Sequence, residues 1–361
     1  MTVMPVRRRA LRSCWVGVVV SNGRVPNDEP SEGIDWIPIY LVSLLLVGFL
    51  LVIGAIGHDT NARQATVPRP RPHSTLHLGR LLIPRLPPRL ASAASLPAYP
   101  KVLPGGATTV FAPNKMLVAY YGTAGTGSLG VLGDASPDRI MPRLTRAAAA
   151  FERGGRTVQP VFELIVTVAH AGPTSAGTYS SDISRSAVLQ YIEAAHRHGA
   201  LVVLDLQPGK SDFLTVAKRW AWALADPWVG LALDPEWRMS RGGIPGQRIG
   251  SVSASEINGV SRWLENLTVT DGLPQKIFLL HQFRTDMIRH LERVLPRPRL
   301  AIVQHVDGYG PPRAKLATFH AVSRPAQFFL GFKLFYRQDV PRMRPAQVFR
   351  IRPRVQFVSF Q

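Results

Sequence analysis

Asp234 and Glu236 stand two residues apart in the stretch GLALDPEW, at the end of the apolar run Val229–Leu233. Two carboxyls so placed can divide the work of proton transfer. One is held protonated by burial and its neighbour's charge while the other stays ionised. The plainer alternative is that acids at a strand end cap the segment that follows. Comparable residues recur at the ends of other apolar runs: Tyr120 or Tyr121, Glu163, Asp205 and Gln207, His281 or Gln282, His305 and Asp307, Lys333, and Gln361. Side chains alternate along a strand, so Asp205 and Gln207 share a face, as do Asp234 and Glu236, and His305 and Asp307. On the fourth run that face also carries Gly230 and Ala232, small enough for a narrow interior, while Leu231 and Leu233 face the other way. Taken singly, these residues have structural readings. Asp212 and Ser253 suit helix N-caps, Lys333 can neutralise Asp307 or Asp205, and His281 can be a core histidine. Taken as a set, ionised groups on the inner ends of consecutive strands are costly to desolvate without a task.

The elements that must position these residues begin near Lys115. Apolar runs of strand length alternate with helical patterns: MLVAYYG precedes a glycine-rich loop and PDRIMPRLTRAAAA, LVVLDLQPG precedes DFLTVAKRWAWALAD, and QKIFLLHQF precedes RTDMIRHLERVL. Eight such runs, linked by right-handed crossovers, predict a (β/α)8 barrel of the TIM type, whose active face is the C-terminal end of the strands. A doubly wound sheet is the alternative. The count of eight, the polar strand ends and the loop GTAGTGSLG, which lacks G-x-G-x-x-G spacing, favour the barrel. The last strand falls at the C-terminus with no eighth helix after it. This leaves one outer face thin, or covered by the segment Pro100–Asn114.

Upstream, the sequence divides into an irregular polar segment (1–34), an apolar stretch (35–57) uncharged from Ile37 to Gly57, a Pro/Arg-rich linker (58–99) and the barrel domain (100–361). Roughly 20 apolar residues at about 1.5 Å each cross a bilayer core of about 30 Å, so residues 35–57 read as a single membrane-spanning helix. A signal peptide is the closest rival, with an h-region that is usually shorter. Arg63, Arg69 and Arg71 on the C-side argue for a cytoplasmic domain. Arg7, Arg8, Arg9 and Arg12 argue for an internal N-terminus, which places the barrel outside the cell membrane. The chain carries 43 Lys+Arg against 23 Asp+Glu, a formal net charge of +20. The basic segments are proline-rich and lack interleaved stacking aromatics, so they read as solvated tails near an anionic membrane surface and not as a nucleic-acid site. One cysteine, Cys14, allows no intramolecular disulfide. The sequence implies no cofactor and leaves the oligomeric state open.

Two resemblances bear on function. ALDPEW resembles the end of the D-x-D-x-E signature on strand four of chitinase-type enzymes, glycoside hydrolase family eighteen. Asp234 matches the last Asp and Glu236 the acid, while Ala232 stands where the first Asp belongs, and the strand-three pattern of that family is missing. Through LDLQPG, ALDPEW, LHQF and GFKLFY, residues 115–361 also resemble a family of uncharacterised secreted or membrane-anchored actinobacterial proteins with a glycosidase-like barrel. That second resemblance implies a fold but no established activity. The first implies a glycoside hydrolase acting on an N-acetylated cell-surface glycan. Glu236 would be the general acid, its pKa raised by burial and by Asp234. Asp234 would orient an N-acetyl group or stabilise the cation formed. Trp237 and Tyr309 would stack on sugar rings. Gln207 and Gln282 would hydrogen-bond hydroxyls, and Asp205, Asp307, Lys333 and Gln361 would complete the substrate-binding surface. Two alternatives stay open: a barrel that binds glycan without cleaving it, and a metal-dependent hydrolase built on Asp205, Asp234, Asp307 and the two histidines, although no H-E-x-x-H or Cys-x-x-Cys spacing is present.

Overall fold

The computed structural model describes residues 98–153, 155–240 and 242–361. The segments 1–34 and 35–57 and nearly all of the linker lie outside the described residues. Among the described residues, no helix is long and apolar enough to cross a membrane.

Eight parallel strands close into a barrel. In chain order they are β1 (Lys115–Thr123), β2 (Thr157–Ala169), β3 (Leu201–Leu206), β4 (Val229–Leu233), β5 (Lys276–Gln282), β6 (Leu300–Val306), β7 (Phe329–Leu334) and β8 (Phe357–Phe360). Each pairs with its sequence neighbour, and β8 returns to β1 with Leu117 opposite Phe357, so no barrel edge is left open. Helices α1 (Pro137–Ala149), α2 (Arg185–His198), α3 (Phe213–Arg219), α4 (Ala254–Thr270), α5 (Pro312–Val322) and the single turn α6 (Pro345–Val348) pack outside. Alternation sorts the strands into two cores. Leu231, Leu233, Phe278, Leu280, Phe332 and Leu334 face the helices, whereas Leu117, Ala119, Val161, Val203, Ala232, Leu279 and Val303 fill the interior. Strand four thus places its small residues inward, as its sequence predicts.

Local chemistry starts the helices where expected. Asp212 accepts a hydrogen bond from the Thr215 amide at the head of α3, and Ser253 accepts one from the Glu256 amide at the head of α4. The glycine-rich loop after β1 folds back on its own strand. Gly130 has φ 142°, and a Cβ there would sit 2.2 Å from the Tyr121 carbonyl oxygen, so only glycine fits.

Two expectations are corrected. The segment after β5 forms no α-helix. It makes two short 3-10 turns, Thr285–Met287 and Leu291–Arg293, and a two-residue strand pairing with Val252–Ser253. Side chains from elsewhere take the backbone groups that a helix would have paired. Asn258 binds both the Arg293 carbonyl and the Leu295 amide, and Gln327 binds the Leu291 and Val294 carbonyls. Pro100–Asn114 does not cover the outer wall. Leu103, Val110 and Phe111 join the interior core, and Phe111 meets Phe329 at the start of β7 with 4.5 Å between ring centroids. The segment plugs the N-terminal opening of the barrel.

Candidate functional site

Walking inward along each strand gives apolar residues first and a polar one last. Leu117 and Ala119 lead to Tyr121, Val161 to Glu163, Leu201 and Val203 to Asp205, and Ala232 to Asp234. Ile277 and Leu279 lead to His281, Ala301 and Val303 to His305 and Asp307, Gly331 to Lys333, and Phe357 to Ser359. The fold therefore gathers these groups in one layer at the C-terminal end. Nearly all are sealed: Glu163, Asp205, His281 and His305 are 0 % exposed, and Asp307 keeps 8 %. Above them Glu236, Trp237 and Tyr309 are half-buried and form the open part of the mouth. Glu236 and Trp237 are set there by a single 3-10 turn, Pro235–Trp237, following Asp234.

His281 is the hub. Its Nδ1 lies 2.9 Å from Asp307 Oδ2, and its Nε2 lies 3.1 Å from Glu163 Oε1 and 3.7 Å from Asp205 Oδ1. The contact with Glu163 is close but out of hydrogen-bonding alignment, so both oxygens of that carboxylate lack a protein donor. The Tyr121 hydroxyl donates to Asp205 Oδ2 at 3.0 Å and accepts from the Gln207 amide at 3.4 Å. His305 shares a 2.8 Å hydrogen bond between its Nε2 and Ser359 Oγ. Its ring sits against Gly331, where a Cβ would lie 2.3 Å from Nδ1. The Lys333 ammonium lies 3.3 Å from the centre of the Tyr121 ring.

Burial and mutual repulsion sort the carboxyls. Desolvation, then the charge of Glu236, holds Asp234 well above the usual carboxylate range. Desolvation, then the charge of Asp307, pushes Glu236 up to about 7, against the lowering effect of Lys333 and His281. Its largest charge partner is thus Asp307, across the mouth, where the sequence reading names Asp234. Asp205 rises to about 6, chiefly by desolvation. Asp307 goes the other way: desolvation opposes ionisation, but the hydrogen bond and charge of His281, with Lys333, hold it below its ordinary value. Desolvation also opposes a charged His281, yet its contacts with Asp307 and Glu163 keep its pKa well raised. Burial and the His281 charge depress His305. The layer therefore holds one carboxyl poised near neutrality beside one firmly ionised, the pattern by which acid and base roles are assigned.

Of the residues singled out in the sequence, Asp205, Gln207, Asp234, Asp307 and Lys333 join this layer, with Glu236, Trp237 and Tyr309 above it. Two do not join. Gln282 turns outward, accepting from the Gln304 amide at 2.7 Å and donating to the Arg284 carbonyl. Gln361 reaches the Leu129 carbonyl in the loop after β1. Tyr121, Glu163, His281 and His305, named in the sequence as strand-end candidates, join the layer too, and the structure adds Ser359. Counting inward positions by twos from Ala119, Val161, Leu279, Val303 and Phe357 reaches each of them once the closed barrel has fixed which phase faces in.

A groove of about 350 Å³ on the outer wall between α5 and α6 is lined by Pro312, Leu316, Met343 and Ile351, with His320, the cations Arg350 and Arg352, and no acid. It lies apart from the carboxyl layer and offers no acid–base pair. No protein-family model matches the chain, and no curated protein matches it, so function is argued from the chemistry of the barrel mouth.

Proposed function

We propose that the barrel is a glycoside hydrolase, with Glu236 as general acid and Asp307 as the ionised partner that serves as base or nucleophile. The observation that carries this reading is the pair itself: a half-buried carboxyl with a pKa pushed up to about 7 and a second held ionised by His281. A protonated Glu236 can deliver its proton to a glycosidic oxygen near neutral pH. The electron-rich layer beneath suits the oxocarbenium-like cation that bond cleavage creates. Asp234 stays protonated beside Glu236 and serves as a hydrogen-bond donor to the substrate, in keeping with a role in orienting an N-acetyl group. Trp237 offers a sugar-stacking ring, and its buried indole N–H has no protein acceptor, which suits a donor to a hydroxyl. The resemblance of ALDPEW to the chitinase-type signature and the expected membrane anchor support an N-acetylated cell-surface glycan as substrate.

The test is a screen of the full chain on polymers containing N-acetylglucosamine, alongside Glu236→Gln. That variant keeps shape and hydrogen bonding but cannot cycle a proton. Turnover should fall by a factor on the order of 10² or more with binding retained. A wild-type protein that binds such a polymer and never cleaves it would reduce the site to a glycan-binding barrel.

A further inference from the structure

We infer that Glu163, His281 and His305 form a binding site for a divalent transition-metal ion, buried beneath the acid pair, with Asp205 as a further donor. Each of the three offers one donor atom, all within 4.8 Å of one another, and each is fully buried. Three ligands about 2.0–2.2 Å from one zinc ion stand roughly 3.3–3.8 Å apart, so the set must draw in by up to about 1 Å or somewhat more around an ion.

An independent observation points the same way. Glu163 Oε1 and Oε2, Asp205 Oδ1 and His281 Nε2 are buried with no protein hydrogen-bond partner, and they converge, since His281 Nε2 lies 3.1 Å from Glu163 and 3.7 Å from Asp205. Glu163 has its ion contact with His281, but with neither oxygen hydrogen-bonded its burial is still costly. An ion there satisfies these atoms together. The charge balance agrees: with His281 neutral as a ligand, the carboxylates Asp205 and Asp307 keep Lys333 as a neighbouring cation, and with Glu163 beside them the layer favours added positive charge.

The outer contacts are those of a metal centre as well. With its Nδ1–H given to Asp307, His281 would release its Nε2 proton on metal binding and present that lone pair toward Glu163, the carboxylate–histidine–metal arrangement that fixes tautomer and ring orientation. His305 has one ring nitrogen tied to Ser359, and Gly331 leaves room for its ring. Imidazole with carboxylate selects zinc, iron(II), cobalt or manganese over magnesium or calcium. The site goes beyond the acid–base reading and does not depend on it.

The experiment uses the full chain stripped by chelator. Equilibrium dialysis against Zn²⁺ should show one tightly bound equivalent per chain. Affinity should fall by at least tenfold in Glu163→Gln and in His305→Gln, and by 10- to 100-fold in Asp307→Asn, while Glu236→Gln keeps it. In the Co²⁺ form of the wild type, proton NMR should show hyperfine-shifted, exchangeable imidazole N–H signals from two histidines. This readout requires no variant to fold. Absence of stoichiometric uptake, uptake unchanged in Glu163→Gln, or a Co²⁺ form lacking the two imidazole signals overturns the site. Because binding is read without hydrolysis, failure here leaves the roles of Glu236 and Asp307 untouched, and loss of those roles leaves the metal site standing.

Discussion

The two ends of the barrel are built by opposite rules. At the N-terminal end the plug and the strand starts satisfy their polar groups. The Val110 amide donates to Gln275, the Gln275 amide to the Thr108 carbonyl, and the Trp228 indole to the Val102 carbonyl at 2.8 Å. Even the buried Lys276 ammonium has the Asp226 and Val229 carbonyls, each at 2.8 Å. At the C-terminal end lie all eight described buried side-chain atoms that lack a hydrogen-bond partner, on Glu163, Asp205, Asp234, Trp237, His281, His305 and Asp307. Since stability favours satisfied groups, one end is made for holding the barrel and the other for meeting something not part of it.

The largest effect should come from removing the hub of the mouth. His281→Leu leaves Glu163, Asp205 and Asp307 buried without their cation, which costs about 3–5 kcal/mol at neutral pH in the metal-free protein. Denaturant unfolding at pH 8 and pH 5 checks it. The loss should shrink at the lower pH, where carboxyls take up protons, and an equal loss at both would mean that packing dominates.

A somewhat smaller loss is expected at the other end. Leu103 is 2 % exposed in the plug, and Leu103→Ala should cost about 3 kcal/mol with no dependence on pH. The titration of the mouth carboxyls should not move. A shift in that titration would join two ends that the contacts keep separate.

The smallest effect should have the opposite sign. Asp234→Asn removes an acid whose ionisation the fold opposes, so it should stabilise the protein by about 1 kcal/mol at pH 8. The sign follows from linkage. A raised carboxyl pKa contributes stability that is present below the unfolded value and lost as pH rises through the folded one. Asp205 at about 6 and Glu236 at about 7 place that loss between roughly pH 4 and 7, with Asp234 extending it upward. The gain from Asp234→Asn should therefore vanish near pH 4, where the wild-type acid is protonated in both states. Thermal melts across pH read it. Lys276 runs the other way, since burial lowers it to about 7 and its contribution to stability grows as pH rises from there toward 10.5.

The barrel was legible because its strands announce themselves twice, by apolar length and by inward small residues such as Gly230 and Ala232. The carboxyl layer was legible as far as acids end strands. The choice between His281 and Gln282 was not, because both are polar and adjacent. It is decided by the phase of Ile277 and Leu279, whose inward direction appears only when the barrel closes. The missing helix after β5 was hidden for a different reason. RTDMIRHLERVL has a helical pattern, but Asn258 and Gln327, distant in sequence, take its backbone groups. The plug was misplaced because a short irregular segment with scattered apolar residues suits either a wall or a floor, and only the open barrel bottom selects the floor.

The most direct measurement on the central claim is the carboxyl carbon titration of Glu236 by ¹³C NMR in the full-length protein, assigned by its disappearance in Glu236→Gln. The account predicts a midpoint near 7 that falls toward the ordinary value in Asp307→Asn, as the nearby negative charge is removed. A midpoint close to 4.5 in the wild type, unmoved by Asp307→Asn, would contradict it.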